Sequence, residues 1–546
     1  MKRMIRLIFL ITVCGAGLMP AAVCADELSA PVLKLNLDSP APAVSWGSQS
    51  GVHYELEQSN NVFFSNVVSR QYFQNAGGEI SVPCQLNEST GFWRVSATGV
   101  TNGIGFAGAG AYAGKLIRYD SVNGSPVLLK AFGVNYYDAF LRYIRNSADT
   151  SFIEGFQYLS EHHIPVARVL AAGFWPNDWK LYFSDPQEYF RRLDFFISKA
   201  EQYNIGLILD LFWAVRTVGE LVDDAVDAGM LIPYTDFEPN SPLNIDINGN
   251  ETYAEYTRDL GRTNSGSNAL ITRYTKEIVS RYAGSPAIWG WEFGNEYNLG
   301  VDHPNLSLMR SNRLPGTGMT LTNTTPDFVE LPEWTGPDDL TRADVLAAKE
   351  NFARTVRSID SWRMIISGDS CPRISAYRNW TEHKWTPFDT RSEMAQVLPV
   401  DNPAPMDTIC VHLYSSNPSN APAVWFPTDS PITNQWGGPY DELIGYFAEE
   451  SRKAGRPLII GEWGTIGDGT TDDEKETFHQ FMQALIDSDV QLSLLWTFDS
   501  RNIGMTNTWW IQTGMITNYP ASPKLYQISN NDPDLWDLEQ ANLFFK

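Results

Sequence analysis

From about residue 128 onward, apolar residues gather in short runs, and longer stretches with an apolar position every three or four residues separate them. The runs read as strands buried on both faces: Leu128–Asn135, Val166–Val169, Gly206–Leu211, the stretch Ala287–Tyr297 (A-I-W-G-W-E-F-G-N-E-Y), Met364–Ser367, Thr408–Leu413, Pro457–Thr465 and Leu492–Trp496. The intervening stretches read as helices over Thr150–His162, Gln187–Tyr203, Asn268–Tyr282, Arg342–Ile359, Tyr440–Ala454 and Asp472–Ile486. In the second of these, Tyr189, Leu193, Phe196, Ile197 and Ala200 share one stripe. Strands that alternate with helices specify an α/β protein with a parallel sheet, and eight of them is the count of a closed (β/α)8 TIM barrel over residues 115–546. Polar insertions at 215–267 and 298–339 and a proline-rich loop at 417–439 interrupt the rhythm where a cleft could be walled.

Upstream, the periodicity changes to two. Val32–Leu37, Ala43–Trp46, Val52–Leu56 and Phe92–Val95 alternate apolar and polar positions between Gly/Ser/Asn-rich turns. That pattern fits a small antiparallel β-sandwich over residues 28–99, resembling a fibronectin type III-like module with Trp46 and Tyr54 in its core. A glycine-rich linker is expected over 100–114. Lys2, Arg3 and Arg6 precede the apolar stretch Leu7–Met19, and small residues surround Val23–Ala25, so residues 1–25 read as a secretory signal peptide. No other segment is long and apolar enough to span a bilayer, so the expected mature protein is soluble and secreted, extracellular or periplasmic.

Composition narrows the partners. Forty Lys and Arg against 64 Asp and Glu give a formal charge of −24, which argues against nucleic acid as a ligand. A neutral polysaccharide or oligosaccharide remains compatible. Aromatics make up 13% of the chain, with 18 Trp, and indole faces stack on the C–H faces of sugar rings. After removal of the leader three cysteines remain, Cys84, Cys371 and Cys410, enough for one bridge at most and spaced for no metal site. The sequence calls for no cofactor and no metal.

Barrel chemistry sits at the C-terminal ends of the strands. The residues there are Asn135, Arg168, Phe212–Trp213, Asn295–Glu296, Asp369, His412–Tyr414, Glu462 and Trp496. Glu296 and Glu462 each follow an apolar strand and stand three strands apart, so both can face one mouth. Two such carboxyls are what glycoside hydrolysis uses. Glu296 would be the acid and base if Trp291 or the charge of Glu462 raises its pKa. Glu462 would be the nucleophile, kept ionised by Arg168 and the Tyr414 hydroxyl. Asn295 could hydrogen-bond the sugar 2-hydroxyl, His412 could orient the acid or bind substrate, Trp496 could floor the reacting sugar, and Asn135 and Trp213 are further candidate substrate contacts.

The set W-E-x-G-N-E, H-L-Y, G-E-W-G and a strand-eight Trp, in this order with Arg168 at the end of strand two, resembles glycoside hydrolase family 5 and its clan of retaining (β/α)8 glycosidases. The resemblance implies acid/base Glu296, nucleophile Glu462, and substrate contacts from Arg168, Asn295, His412, Tyr414 and Trp496. Many cellulases of that family have histidine at the end of strand three, whereas this chain reads L-D-L-F-W over 209–213; Trp213 with H-L-Y looks more like the β-mannanase branch. The expected activity is retaining hydrolysis of a plant-type β-mannan or β-glucan. A barrel that has lost chemistry and only binds carbohydrate, and a transglycosylase using the same residues, are the alternatives. A metal hydrolase would need more strand-end histidines than His412.

Overall fold

The computed structural model describes residues 10–12, 33–36, 43–48, 53–59, 67–73, 78–83, 92–99, 104–107, 112–119, 126–174, 176–213, 259–263, 265–302, 341–360, 362–384, 387–414, 440–464, 472–499 and 542. Its centre is an eight-stranded parallel sheet: β1 (Ala131–Asn135), β2 (Val166–Leu170), β3 (Gly206–Asp210), β4 (Ile288–Glu292), β5 (Met364–Ile366), β6 (Ile409–Tyr414), β7 (Leu458–Gly464) and β8 (Leu492–Leu495). The strands lie in the order β5-β4-β3-β2-β1-β8-β7-β6. No regular ladder joins β5 to β6. Closure there runs through Asp407, whose backbone N–H donates to the Ile365 carbonyl (3.3 Å) and whose side chain accepts from the Ile365 N–H (3.0 Å). The Thr408 hydroxyl adds a bond to the same carbonyl (3.1 Å). The result is the expected (β/α)8 barrel.

The helices form where the apolar stripes predict. Pro186–Tyr203 starts with Asp185 accepting the Glu188 N–H and Pro186 in the first turn, and it ends on left-handed Asn204. Its stripe Tyr189, Leu193, Phe196, Ile197 and Ala200 is buried. Four of the described helices escape the periodicity, two of them the short Lys180–Ser184 and Ala376–Glu382. Ala139–Arg145 is buried from Ala139 to Ile144, so it presents no amphipathic stripe to find. Arg391–Asp401 contains Pro399 and little stripe, although its capping box, Thr390 with Glu393, is written in the sequence.

Inside the barrel, Ala131, Val166, Ile208, Met364, Ile366, Cys410, Ile459, Leu492 and Leu494 pack with Ile104, Leu116 and Leu129. The last three belong to the segment that closes the N-terminal end, where Ile104–Ala107 and Lys115–Tyr119 pair antiparallel and Pro126–Leu128 joins them. Ile104–Ala107 therefore puts a strand inside the stretch expected to be a linker. Further upstream, 34–36, 43–48 and 78–83 form one antiparallel sheet; 53–59, 67–73 and 92–99 form another, with Leu10–Thr12 parallel to Trp93–Val95. Trp46 is buried as expected. The Tyr54 side chain and Cys84 lie outside the described residues, as do the insertions and the proline-rich loop. Cys371 and Cys410 are both free thiols. Among the described residues no helix is long and apolar enough to cross a membrane.

Candidate active site

Arg168 organises the C-terminal mouth. It stands inside β2, fully buried, and its guanidinium is fixed by neighbours on both sides. Nη1 donates to Glu462 Oε1 (2.6 Å) and to Asn135 Oδ1 (3.0 Å). Nη2 donates to Asn295 Oδ1 (2.9 Å) and Asp210 Oδ2 (3.3 Å), and Nε donates to Glu292 Oε2 (2.5 Å). The cation also lies 4.5 Å from the centre of the Trp213 ring. Asn135, fully buried, turns its amide to the Gly461 carbonyl (3.0 Å) and so braces Arg168 and β7.

Glu462 is delivered by β7, opposite His412 on β6. Its Oε1 takes the Arg168 bond and its Oε2 accepts the Tyr414 hydroxyl. Glu296 arrives differently. β4 ends at Glu292, and Glu296 sits four residues on, in a left-handed turn at φ 55° that few non-glycine residues adopt. The turn is held by its backbone: Glu296 N–H donates to the Gly368 carbonyl (2.8 Å) and Asn295 N–H to the Trp213 carbonyl (3.2 Å). Gly368 is required there. At φ 72° a β-carbon would fall 1.7 Å from the Gly294 carbonyl oxygen.

A carboxyl oxygen of Glu296, one of Glu462 and a ring nitrogen of His412 all lie within 4.8 Å of one another. Such a trio could hold a cation, but both Glu462 oxygens are engaged and the Arg168 charge stands 2.6 Å from one of them. The two glutamates differ in surroundings. Burial pushes the Glu296 carboxyl up to about 7, against smaller opposing effects of a Ser370 hydrogen bond and the Arg168 charge. Its side chain keeps 16% exposure, so a substrate can reach it. Trp291 is not the cause, because its indole is turned away to bond Asp360 (2.9 Å). His412 Nδ1 faces Glu296 Oε1 at 3.0 Å; burial lowers its pKa to about 3, so the ring is neutral. Gly461 makes room for that ring, since a β-carbon there would lie 2.8 Å from Nε2.

Trp496, Tyr137 and Trp213 stack in one aromatic group, with Tyr137 centred 4.8 Å from Trp496 and 5.6 Å from Trp213. All nine predicted site residues therefore converge on one mouth. Two of them hold others in place: Asn135 and Arg168 are wholly buried, where the sequence suggested substrate contact. Asp369 is outside the group, paired with buried Lys349. Sequence reasoning missed Glu292, Asp210 and Tyr137. The signal for the two acids was present, since a charge inside an apolar buried strand must have a partner.

A closed (β/α)8 barrel with two carboxyls facing each other across its C-terminal mouth defines the class of barrel glycosidases. Residues 164–502 match the family model Cellulase (glycosyl hydrolase family 5), and the chain belongs to that family and is a glycoside hydrolase. Similar solved structures include a family 5 mannosidase from Rhizomucor miehei, 14% identical, covering 82% of this chain and 98% of that one at a TM-score of 0.47. An endo-β-1,4-mannanase from Thermotoga petrophila is also 14% identical, over 76% and 77% of the two chains, at 0.45. An exo-β-1,4-mannosidase from Opitutaceae bacterium strain TAV5 is 14% identical over 79% and 61%, at 0.46. No curated protein matches the chain.

Proposed function

We propose that this protein is a secreted retaining β-glycoside hydrolase that cleaves a plant-type β-linked polysaccharide, a β-mannan or β-glucan, by double displacement. The observation that carries the reading is the approach of one Glu296 oxygen and one Glu462 oxygen to within 4.8 Å, which suits the roughly 5–5.5 Å carboxyl spacing of retaining pairs better than the roughly 6.5–9.5 Å of inverting ones. Glu296, protonated below about pH 7, donates its proton to the glycosidic oxygen as the bond to the anomeric carbon breaks. Glu462 attacks that carbon from the opposite face and forms an ester. The Glu296 carboxylate then takes a proton from water, which attacks the same carbon and releases Glu462. Arg168 and Tyr414 hold the two Glu462 oxygens on line. Asn295, its oxygen fixed by Arg168, offers its NH2 to the sugar 2-hydroxyl, and the Trp496 group supplies an apolar floor.

Export is supported by the basic and then apolar N-terminus, and the lean toward mannan by Trp213 with H-L-Y. The test is wild type against Glu462→Ala on mannan, cellulose, xylan and mixed-linkage glucan. The variant should lose turnover by on the order of 10⁴-fold or more while folding normally. A protein that only binds carbohydrate would bind alike in both forms and release no sugar, and an active Glu462→Ala would reject the nucleophile.

A further inference from the structure

Arg168 is one cation facing three carboxyl groups. All five of its N–H bonds are used: by Glu462, Asn135, Asn295, Asp210 and Glu292. The side chains of Arg168 and Asp210 are 0% exposed, that of Glu292 1% and that of Glu462 6%. Ionising all three acids would seal two uncompensated negative charges in the barrel, which removal from water heavily penalises. The remaining neighbours offer no relief. Cys410 from β6 is a buried thiol whose pKa burial raises, and Asp369 beyond β5 is acidic and already paired with Lys349. Among the described residues, Arg168 is the cation that Glu292 and Asp210 contact.

Geometry indicates where a proton resides. Asp210 and Glu292 are in register on adjacent strands. Asp210 has both oxygens engaged, by the Phe212 N–H (3.1 Å) and by Arg168. Glu292 Oε1 is buried and accepts nothing. A bare oxygen is costly on a carboxylate, which spreads its charge over both atoms, and much cheaper on a neutral carboxyl. Burial raises the pKa of both acids, and the Glu292 charge raises that of Asp210 further.

We propose that Glu292 and Asp210 are a positioning pair for the reaction, with Glu292 carrying a bound proton, so that they hold Arg168 from behind while its charge stays directed at Glu462. The proposal rests on the reading of Glu462 as nucleophile. Neither acid touches substrate; each acts through the guanidinium.

Glu292→Ala and Glu292→Gln in the full chain test it. Without its Nε acceptor the guanidinium shifts, so Glu292→Ala should lower kcat about 100-fold with KM changed less than about threefold. Glu292→Gln keeps an acceptor and no charge, and should recover at least about tenfold of that loss. Thermal stability against pH gives a readout that simple packing would not move. An acid that keeps its proton when folded costs the wild type stability as pH rises, so the Tm advantage of Glu292→Gln should widen between about pH 5 and pH 8. A Tm gap that is flat or reversed with pH, or a Glu292→Gln no more active than Glu292→Ala, overturns the proposal. If Glu292→Ala does not fold, the pH series on Glu292→Gln decides. Labelling of wild type with an activated 2-deoxy-2-fluoroglycoside separates the two readings: ester at Glu462 with failed Glu292 tests removes only the positioning pair, and label on another residue removes the nucleophile itself.

Discussion

Glu296 and Glu462 face each other across one mouth, yet the chain holds them in opposite ways. Glu462 stands within β7, where the pairing with both neighbouring strands shifts register, with a cation on one oxygen and a hydroxyl on the other. Glu296 rides on a left-handed turn pinned by backbone bonds, beside a neutral histidine, with burial pushing its carboxyl up to about 7. Identical side chains thus stand in different frames, and the proposed roles follow those frames: the carboxyl that burial pushes up is the proposed acid, and the one held by Arg168 and Tyr414 is the proposed nucleophile.

The contrast can be broken at either end. Loss of Glu462 carries the largest effect, since no group remains to take the anomeric carbon. Glu296→Gln comes next, at about 10²- to 10⁴-fold on polysaccharide, and the loss should shrink toward nothing on aryl glycosides whose leaving groups need no proton. The same variant sharpens the comparison through pH. Wild-type activity should fall as pH rises through about 7, where Glu296 gives up its proton, and this limb should vanish in Glu296→Gln. The unfolded carboxyl ionises near its ordinary value, so burial costs the wild type stability from that pH up to about 7; Glu296→Gln should be the more stable protein above it. Equal losses on both substrate types would deny Glu296 the role of acid.

His412→Asn has the smallest expected effect. A ring that is neutral above about pH 3 contributes a hydrogen bond and no charge, so kcat should fall by no more than about tenfold and the basic limb should move by less than about one pH unit. A larger displacement, read from kcat/KM against pH, would mean that His412 is charged beside Glu296.

The barrel was legible because its strands are apolar on both faces and its helices carry stripes, two patterns that survive without any partner in view. The mouth was legible for a related reason: a residue that follows a buried strand has one place to go. What the sequence hid depends on contacts between distant segments. Ala139–Arg145 is buried all round, so its helical period leaves no trace. The strand Ile104–Ala107 gains its place by closing the barrel floor, which a run of glycines nearby does not announce. Asn135 and Arg168 read as substrate contacts because strand ends usually face the cleft; here they are the layer beneath it. Glu292 stood within a quoted motif, but its meaning required Arg168 and Asp210 beside it.

The central proposal is that Glu462 forms an ester with the anomeric carbon while Glu296 protonates the leaving oxygen, so that the configuration is retained. Proton NMR of the first product formed from a β-glycoside, recorded before mutarotation, tests it most directly. The β anomer should appear first and convert slowly to the equilibrium mixture. Initial release of the α anomer would show single displacement by water, and the assignment of Glu462 as nucleophile would be wrong.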